Sequence, residues 1–316
     1  MKKKCAVVCS QGLGDGLIFL TLSHNLYLNG YEVDTFHPAL FSLQRWFPHL
    51  PLKPMPEREE IPATFSSYDK IFINSDATEI NRLIQKYALA TTEKEKWILH
   101  PSTCRGNNLP GDFRFCPDQT IVSNLLNFCT QKLALSKVVR ENGCTPPESL
   151  VHRKEPKRVV IHPTCKNERR NWSSQKFLKL AHKLREEGYE PSFVTAPFER
   201  KRWEWVQYDG FFLPSFSSLD QMASFLYESG YFVGMDSGLG HLASCMQIKT
   251  LSIFTNTRKK EFWRPDWAEG TSIAPSSFLP NFKGMRLRDR YGKFLLRPKQ
   301  VFRQFLLLID KESRSL

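Results

Sequence analysis

The sequence predicts an α/β protein built from two Rossmann-like domains, each with a parallel sheet. Three observations carry this. Short apolar runs alternate with segments of helical period in both halves of the chain. A glycine-rich turn follows the first apolar run, and another follows a late run in the second half. The 316 residues also exceed the usual size of a single hydrophobic core.

The elements read in order. KCAVVCS, from Lys4, is a buried strand that runs into the turn QGLGDG. Ile18, Leu22 and Leu26 then form one helical stripe, Gly30 ends it, and YEVDTF is the next strand. Strand, helix and strand in this order imply a crossover connection and hence a parallel sheet. DKIFIN, residues 69–74, adds a strand, and residues 85–145 are expected to be mostly helical. Pro146, Pro147 and Pro156 punctuate a polar stretch without periodicity over residues 143–157, the natural linker.

The pattern then restarts. KRVVIHP is a strand; a helix from Ser174 shows Phe177, Leu180, Ala181 and Leu184 on one face and stops at Gly188; EPSFVTA is the next strand. SSLD, residues 217–220, is the start of a helix carrying Leu219, Met222, Ala223 and Leu226, with Gly230 at its end. YFVGM and KTLSIFT are further strands, and Val301, Phe302, Phe305 and Ile309 mark a terminal helix. The expected domains are residues 1–150, residues 151–297, and a C-terminal helix over 298–316 that packs back on the first domain.

Lys and Arg number 45 against 32 Asp and Glu, a formal charge of +13. That field favours anionic partners: nucleic acid, phosphorylated small molecules or an acidic membrane surface. No nucleic-acid module with interleaved basic and aromatic residues is recognisable, so nucleic acid is not an expected partner. The apolar run of the N-terminus ends at Cys9, too short for the core of a signal peptide, and no stretch approaches the ~18 apolar residues of a membrane span. A cytoplasmic location follows as an expectation. The eight cysteines contain no C-x-x-C pair and no zinc spacing, so free, mostly buried thiols are expected.

Three loops fall at the carboxyl ends of strands, where open α/β sheets bind ligands. In Gly12-Leu13-Gly14, Leu17 stands where a dinucleotide fingerprint needs a third glycine, which weakens a nicotinamide-dependent oxidoreductase as the alternative reading. Asp15 in this turn is either a cap on the helix dipole or a general base. In HPTCKNERRNW, residues 162–172, Thr164, Lys166 and Arg170 stand between a strand and a helix. They are either solvated charge or one side of a diphosphate clamp. In Asp236-Ser237-Gly238, the backbone N–H groups form a nest at a helix start, and Asp236 is either a cap or a ligand for sugar hydroxyls. His241 is either a packed histidine or a site residue.

In this order the loops resemble glycosyltransferase family 9, the ADP-heptose:lipopolysaccharide heptosyltransferase group. The resemblance is carried by Leu13-Gly14-Asp15, by HPTCKNERRNW and, most specifically, by DSGLGHLA over 236–243. It covers residues 158–256 and 5–33. It implies a GT-B fold, two Rossmann-like domains facing across a cleft, and inverting, metal-independent sugar transfer without a cofactor. Asp15 would be the base; Thr164, Lys166, Arg170, Ser237 and Gly238 would hold the diphosphate; Glu199, Asp236 and His241 would hold ribose or sugar. The implied partners are a nucleotide-sugar donor, ADP-heptose foremost, and an anionic glycolipid acceptor such as a lipopolysaccharide core, with peripheral contact at the inner membrane. Another nucleotide sugar or a protein acceptor is the alternative within the family. Gly16 replaces an aliphatic residue of the family pattern, which implies a looser helix start. Basic-aromatic segments at 258–267 and 282–299 stand outside that pattern, with a membrane-surface role open to them.

Overall fold

The computed structural model describes residues 2–91, 93–101, 112–255, 257–275, 281–282 and 285–313. The chain divides into two compact units, Met1–Pro147 and Glu148–Leu316.

The first unit contains β1 (Lys4–Val8), α1 (Leu13–Leu28), β2 (Glu32–Phe36), β3 (Leu52–Lys53), α2 (Ile61–Ser66), β4 (Lys70–Asn74), α3 (Glu79–Ala90), β5 (Glu95–His100), β6 (Asp112–Arg114) and α4 (Ile121–Gln131). Its strands pair in parallel in the order β3-β2-β1-β4-β5-β6. The order reverses between β1 and β4, which is the classic dinucleotide-fold arrangement with its switch point there. Ala6, Val8, Phe36, Phe65, Ile71, Ile73 and Ile84 bury one face of this sheet under α2 and α3.

The expectation of a mostly helical stretch over 85–145 is corrected. KWIL within β5 is a short apolar run, which periodicity alone does not assign to strand or helix, and it pairs with β4. After α4 the chain is extended and laid along α1. Asn25 exchanges bonds with Val139, whose carbonyl accepts at 2.9 Å and whose N–H donates at 2.7 Å. Asn29 accepts the N–H groups of Ser136 and Lys137. Two side-chain amides replace the ladder that this stretch lacks, because a chain without periodic apolar residues still needs its backbone satisfied.

The second unit contains β7 (Glu155–His162), α5 (Ser174–Glu186), β8 (Glu190–Phe193), α6 (Leu219–Tyr227), β9 (Ser229–Met235), α7 (Gly238–Cys245), β10 (Lys249–Ile253), α8 (Thr257–Trp263), β11 (Gly270–Ile273), a two-stranded ribbon of β12 (Asn281–Phe282) and β13 (Met285–Arg286), α9 (Leu287–Leu295) and α10 (Pro298–Ser313). The main sheet is parallel in the order β11-β10-β9-β7-β8, with the switch point between β7 and β9.

Within SSLD, Ser218 caps α6, its hydroxyl accepting from the N–H of Gln221 at 3.2 Å. Two local expectations change. Gly230 does not end that helix; it lies inside β9, where a Cβ would sit 2.0 Å from the carbonyl oxygen of Pro156. The terminal helix α10, expected to return to the first domain, buries Val301, Phe305 and Leu308 in the core of the second unit. Its apolar face matches the site left open beside α5, β10 and β11. Cys104 lies outside the described residues; the other seven cysteines are free thiols.

Phe305 is fully buried and meets Tyr189 and Tyr231 edge-on, with centroids 5.2 and 5.3 Å away. Phe305→Ala is expected to destabilise the second unit by about 3–5 kcal/mol. Urea denaturation followed by tryptophan fluorescence measures this.

Candidate functional site

The two switch points carry the sequence motifs. At that of the second unit, β7 ends in His162 and β9 in Met235, and the chain leaves each strand into a polar loop. His162 and Gly234 are register partners, and a Cβ on Gly234 would lie 2.7 Å from the His162 carbonyl oxygen. The strands approach closely because glycine stands there. Sequence reading passed over Gly234; its signal was a glycine inside an otherwise apolar strand.

After β7, Thr164 is buried and its hydroxyl donates to Glu199 Oε2 at 2.8 Å. The same oxygen accepts the N–H of Ala196 at 3.2 Å, which fixes the 3-10 turn Pro197–Arg202. The structure thus joins two residues expected to touch different parts of a ligand: the hydroxyl hydrogen of Thr164 is turned to Glu199. Asn171 Oδ1 accepts the N–H of Cys165 at 2.9 Å and closes the basic loop. Trp172, 2 % exposed, packs edge-on to Phe177 and donates its indole N–H to the carbonyl of Leu296 at 3.0 Å. It is a packing residue.

The basic residues of the loop part company. Arg170 pairs with the carboxylate of Asp236. Lys166 and Arg169 are exposed. The carbonyl of Arg169 accepts from Lys293 Nζ at 2.5 Å. Lys176, on α5, donates to the carbonyls of Lys293, Phe294 and Leu296. The loop is therefore latched to the segment before α10.

After β9, Asp236 is tied by its N–H to the carbonyl of Ile253 at 3.1 Å, and Ser237 occupies the N-cap position of α7. A serine there usually bonds the helix N–H groups. Ser237 makes no such bond, and its buried Oγ has no hydrogen-bond partner. Arg170 Nε and His241 Nδ1 are likewise buried without partners. Buried polar groups are ordinarily satisfied, so three such atoms on the loops and the α7 helix that follow β7 and β9 suit a polar ligand. Gly238 opens α7.

His241 is 4 % exposed and stands edge-on to Trp267 with centroids 6.1 Å apart. Burial pushes its pKa down to about 4 against a smaller opposing pull from Asp236, so the ring is neutral. His162 is also buried, its Nδ1 2.8 Å from the carbonyl of Val194, and burial lowers its pKa as well.

In the first unit, Asp15 lies half-buried in the first turn of α1. Its carboxylate folds back over Gly12, where a Cβ would sit 2.2 Å from Oδ2. Cys9 is buried below; desolvation first and the Asp15 charge second push its thiol pKa up. Gly16 corrects the expectation of a loose helix start: it is packed against His37, whose Cδ2 a Cβ would meet at 2.7 Å. Sequence reading missed His37.

Residues 128–274 match the model of Glycosyltransferase family 9 (heptosyltransferase), a match that takes in the loops after β7 and β9. Over 149 residues, 43% of this chain, the sequence is 27% identical to lipopolysaccharide heptosyltransferase 3 of Escherichia coli strain K12, and the match spans 41% of that protein. Among solved structures, E. coli ADP-heptose lps heptosyltransferase II aligns over 99% of this chain and 100% of its own, with TM-score 0.70 and 14% identity. A family 9 glycosyltransferase of Veillonella parvula aligns over 98% of each chain, with TM-score 0.72 and 12% identity. E. coli heptosyltransferase WaaC with ADP covers 96% of this chain and 98% of its own, at TM-score 0.67 and 14% identity. The resemblance to family 9 is borne out, and so is the GT-B class with its two parallel-sheet α/β units.

The two neutral histidines of this site contribute to a pH dependence of stability. In the unfolded chain they titrate near 6.5, so below that pH the unfolded state binds more protons and stability falls with pH. Thermal unfolding is expected to show a Tm that declines from pH 6.5 towards pH 4, and His241→Gln is expected to make the decline shallower. An unchanged slope in that variant would remove His241 from this account.

Proposed function

We propose that the chain is an inverting, metal-independent glycosyltransferase that moves a heptose from ADP-heptose to an anionic glycolipid of the lipopolysaccharide-core kind. The observation that carries this reading is the set of unpartnered polar atoms on Arg170, Ser237 and His241 at the β7/β9 switch point, within the family-matched span. One comparison protein adds support, since E. coli heptosyltransferase WaaC is solved both with ADP and with ADP-2-deoxy-2-fluoro heptose.

Each residue then has a task. The N–H groups at Gly238 and the start of α7 offer a positive helix end to the diphosphate. Ser237 Oγ gains the partner it lacks. Arg170 shares its guanidinium between Asp236 and a phosphate oxygen, which a forked donor allows. Lys166, exposed on the loop, adds positive charge to the approach. Asp236 accepts from sugar hydroxyls. Thr164 and Glu199 act as a joined pair, the carboxylate receiving ribose hydroxyls. His241, neutral, packs beside the nest and offers Nδ1 as an acceptor.

The transfer is a single displacement. Asp15 takes the proton of the acceptor hydroxyl, the oxygen attacks the anomeric carbon, and the bond from that carbon to the diphosphate oxygen breaks. The nucleoside diphosphate leaves with the electron pair, and Arg170 and α7 stabilise its charge. Configuration at the carbon inverts.

Peripheral contact with an anionic membrane surface fits the exposed side chains before α10. Tyr291, Phe294 and Leu295 are exposed next to Lys293, Arg297 and Lys299. Aromatic and aliphatic groups among cations suit a headgroup layer. Residues 283–284 of the basic-aromatic stretch lie outside the described residues. No helix among the described residues is long and apolar enough to cross a membrane.

In a thermal-shift panel of nucleotide sugars, ADP-heptose is expected to raise the Tm more than UDP- or GDP-linked sugars do. Equal shifts across the panel would remove the donor assignment. Asp15→Ala is expected to keep that shift while transfer falls about 10²–10⁴-fold, as measured by ADP release with a deacylated lipopolysaccharide core. Retained turnover would remove Asp15 as the base.

A further inference from the structure

The turn beneath Asp15 is held from two neighbouring strands. After β4, Asp76 Oδ2 accepts the N–H of Gln11 at 3.3 Å. After β2, His37 reaches the next residue of the same turn, its Nε2 lying 3.1 Å from the carbonyl oxygen of Gly12.

The bonds of His37 determine its tautomer. Its Nδ1 accepts from the N–H groups of Ala39 at 3.0 Å and Leu40 at 3.1 Å. A nitrogen that accepts carries no hydrogen, so the proton is on Nε2 and is donated to Gly12. The ring is wholly buried, and burial holds its pKa down to about 4, so this neutral form persists at neutral pH. The Gly12 carbonyl also accepts the N–H of Gly16 at 2.9 Å, which makes it an anchor of the first turn of α1.

Both glycines serve space. Gly12 has a φ of −74° and ψ of 131°, open to any residue. A side chain there would collide with the Asp15 carboxylate, and one at Gly16 would strike the His37 ring. Imidazole, Gly12 and carboxylate are thus stacked in direct succession: the ring grips the peptide on which the carboxylate rests.

We propose that His37 is a positioning residue for the transfer reaction, aiming the Asp15 carboxylate by fixing the Gly12 carbonyl. The proposal rests on the reading of Asp15 as the base. His37 touches no substrate; it acts through the turn. A misplacement of about 1 Å at a reacting group costs on the order of 10²-fold in rate.

Two substitutions separate the halves of the ring. The amide oxygen of His37→Asn overlays Nδ1 and keeps the bonds to Ala39 and Leu40 while losing Gly12. The amide nitrogen of His37→Gln overlays Nε2 and keeps Gly12. Steady-state ADP release from ADP-heptose, with a deacylated lipopolysaccharide core as acceptor, reads kcat and KM for both. The expected result is a kcat about 10–100-fold lower in H37N with donor KM unchanged, and restoration of most of that loss in H37Q. A folded H37N with wild-type kcat, or an H37Q no better than H37N, overturns the proposal. If H37N does not fold, Gly16→Ala displaces the ring instead, and an unchanged kcat there overturns it equally. Asp15→Asn, assayed alongside, separates the two readings. Turnover in D15N removes the base assignment itself, whereas an inactive D15N with a fully active H37N removes only the role of His37.

Discussion

The close approach of β7 and β9 is the constraint on which the second unit depends. Gly230 and Gly234 sit where any side chain would meet backbone atoms of β7, at Pro156 and His162 respectively. With strands so near, their carboxyl ends deliver Thr164 and Asp236 to neighbouring loops, and Arg170 can reach Asp236 across them. Loop chemistry here follows from backbone packing. A bulkier residue at Gly234 would press on His162, the last residue before the Thr164 loop.

The positive charge of the chain is spread, and little of it is committed to buried pairs. Arg170 with Asp236, Lys70 with Glu95 and Lys53 with Asp34 are pairs in which at least one side is shielded. Other pairs, such as Arg202 with Glu168, are exposed and contribute little to stability. The excess of Lys and Arg therefore acts as a field for anionic molecules, while stability comes from the two cores.

Much of this was legible in the sequence because it rests on periodicity and punctuation. The strands β1, β2, β4, β7, β8, β9 and β10 are apolar runs ending at polar turns, and the helices α1, α5, α6 and α10 show their buried stripes. Family motifs marked the loops. The strands β5 and β6 were not legible, since short apolar runs carry no period that separates strand from helix. Nor was the pairing of Thr164 with Glu199, a contact 35 residues apart in sequence. His37 was silent for another reason: its partners are backbone groups, and a backbone group leaves no signature in residue type.

The latch on the basic loop bears on the thermodynamics of ligand capture. Trp172, Lys176 and Lys293 tie the loop that carries Arg170 to the chain just before α10. Conformational entropy of that loop is thereby lost at folding and not when an anion arrives. Binding then sees a stiff receptor, and the enthalpy of new hydrogen bonds is little opposed by ordering. Stiffness at one end of the second unit's sequence is thus maintained by residues more than a hundred positions away.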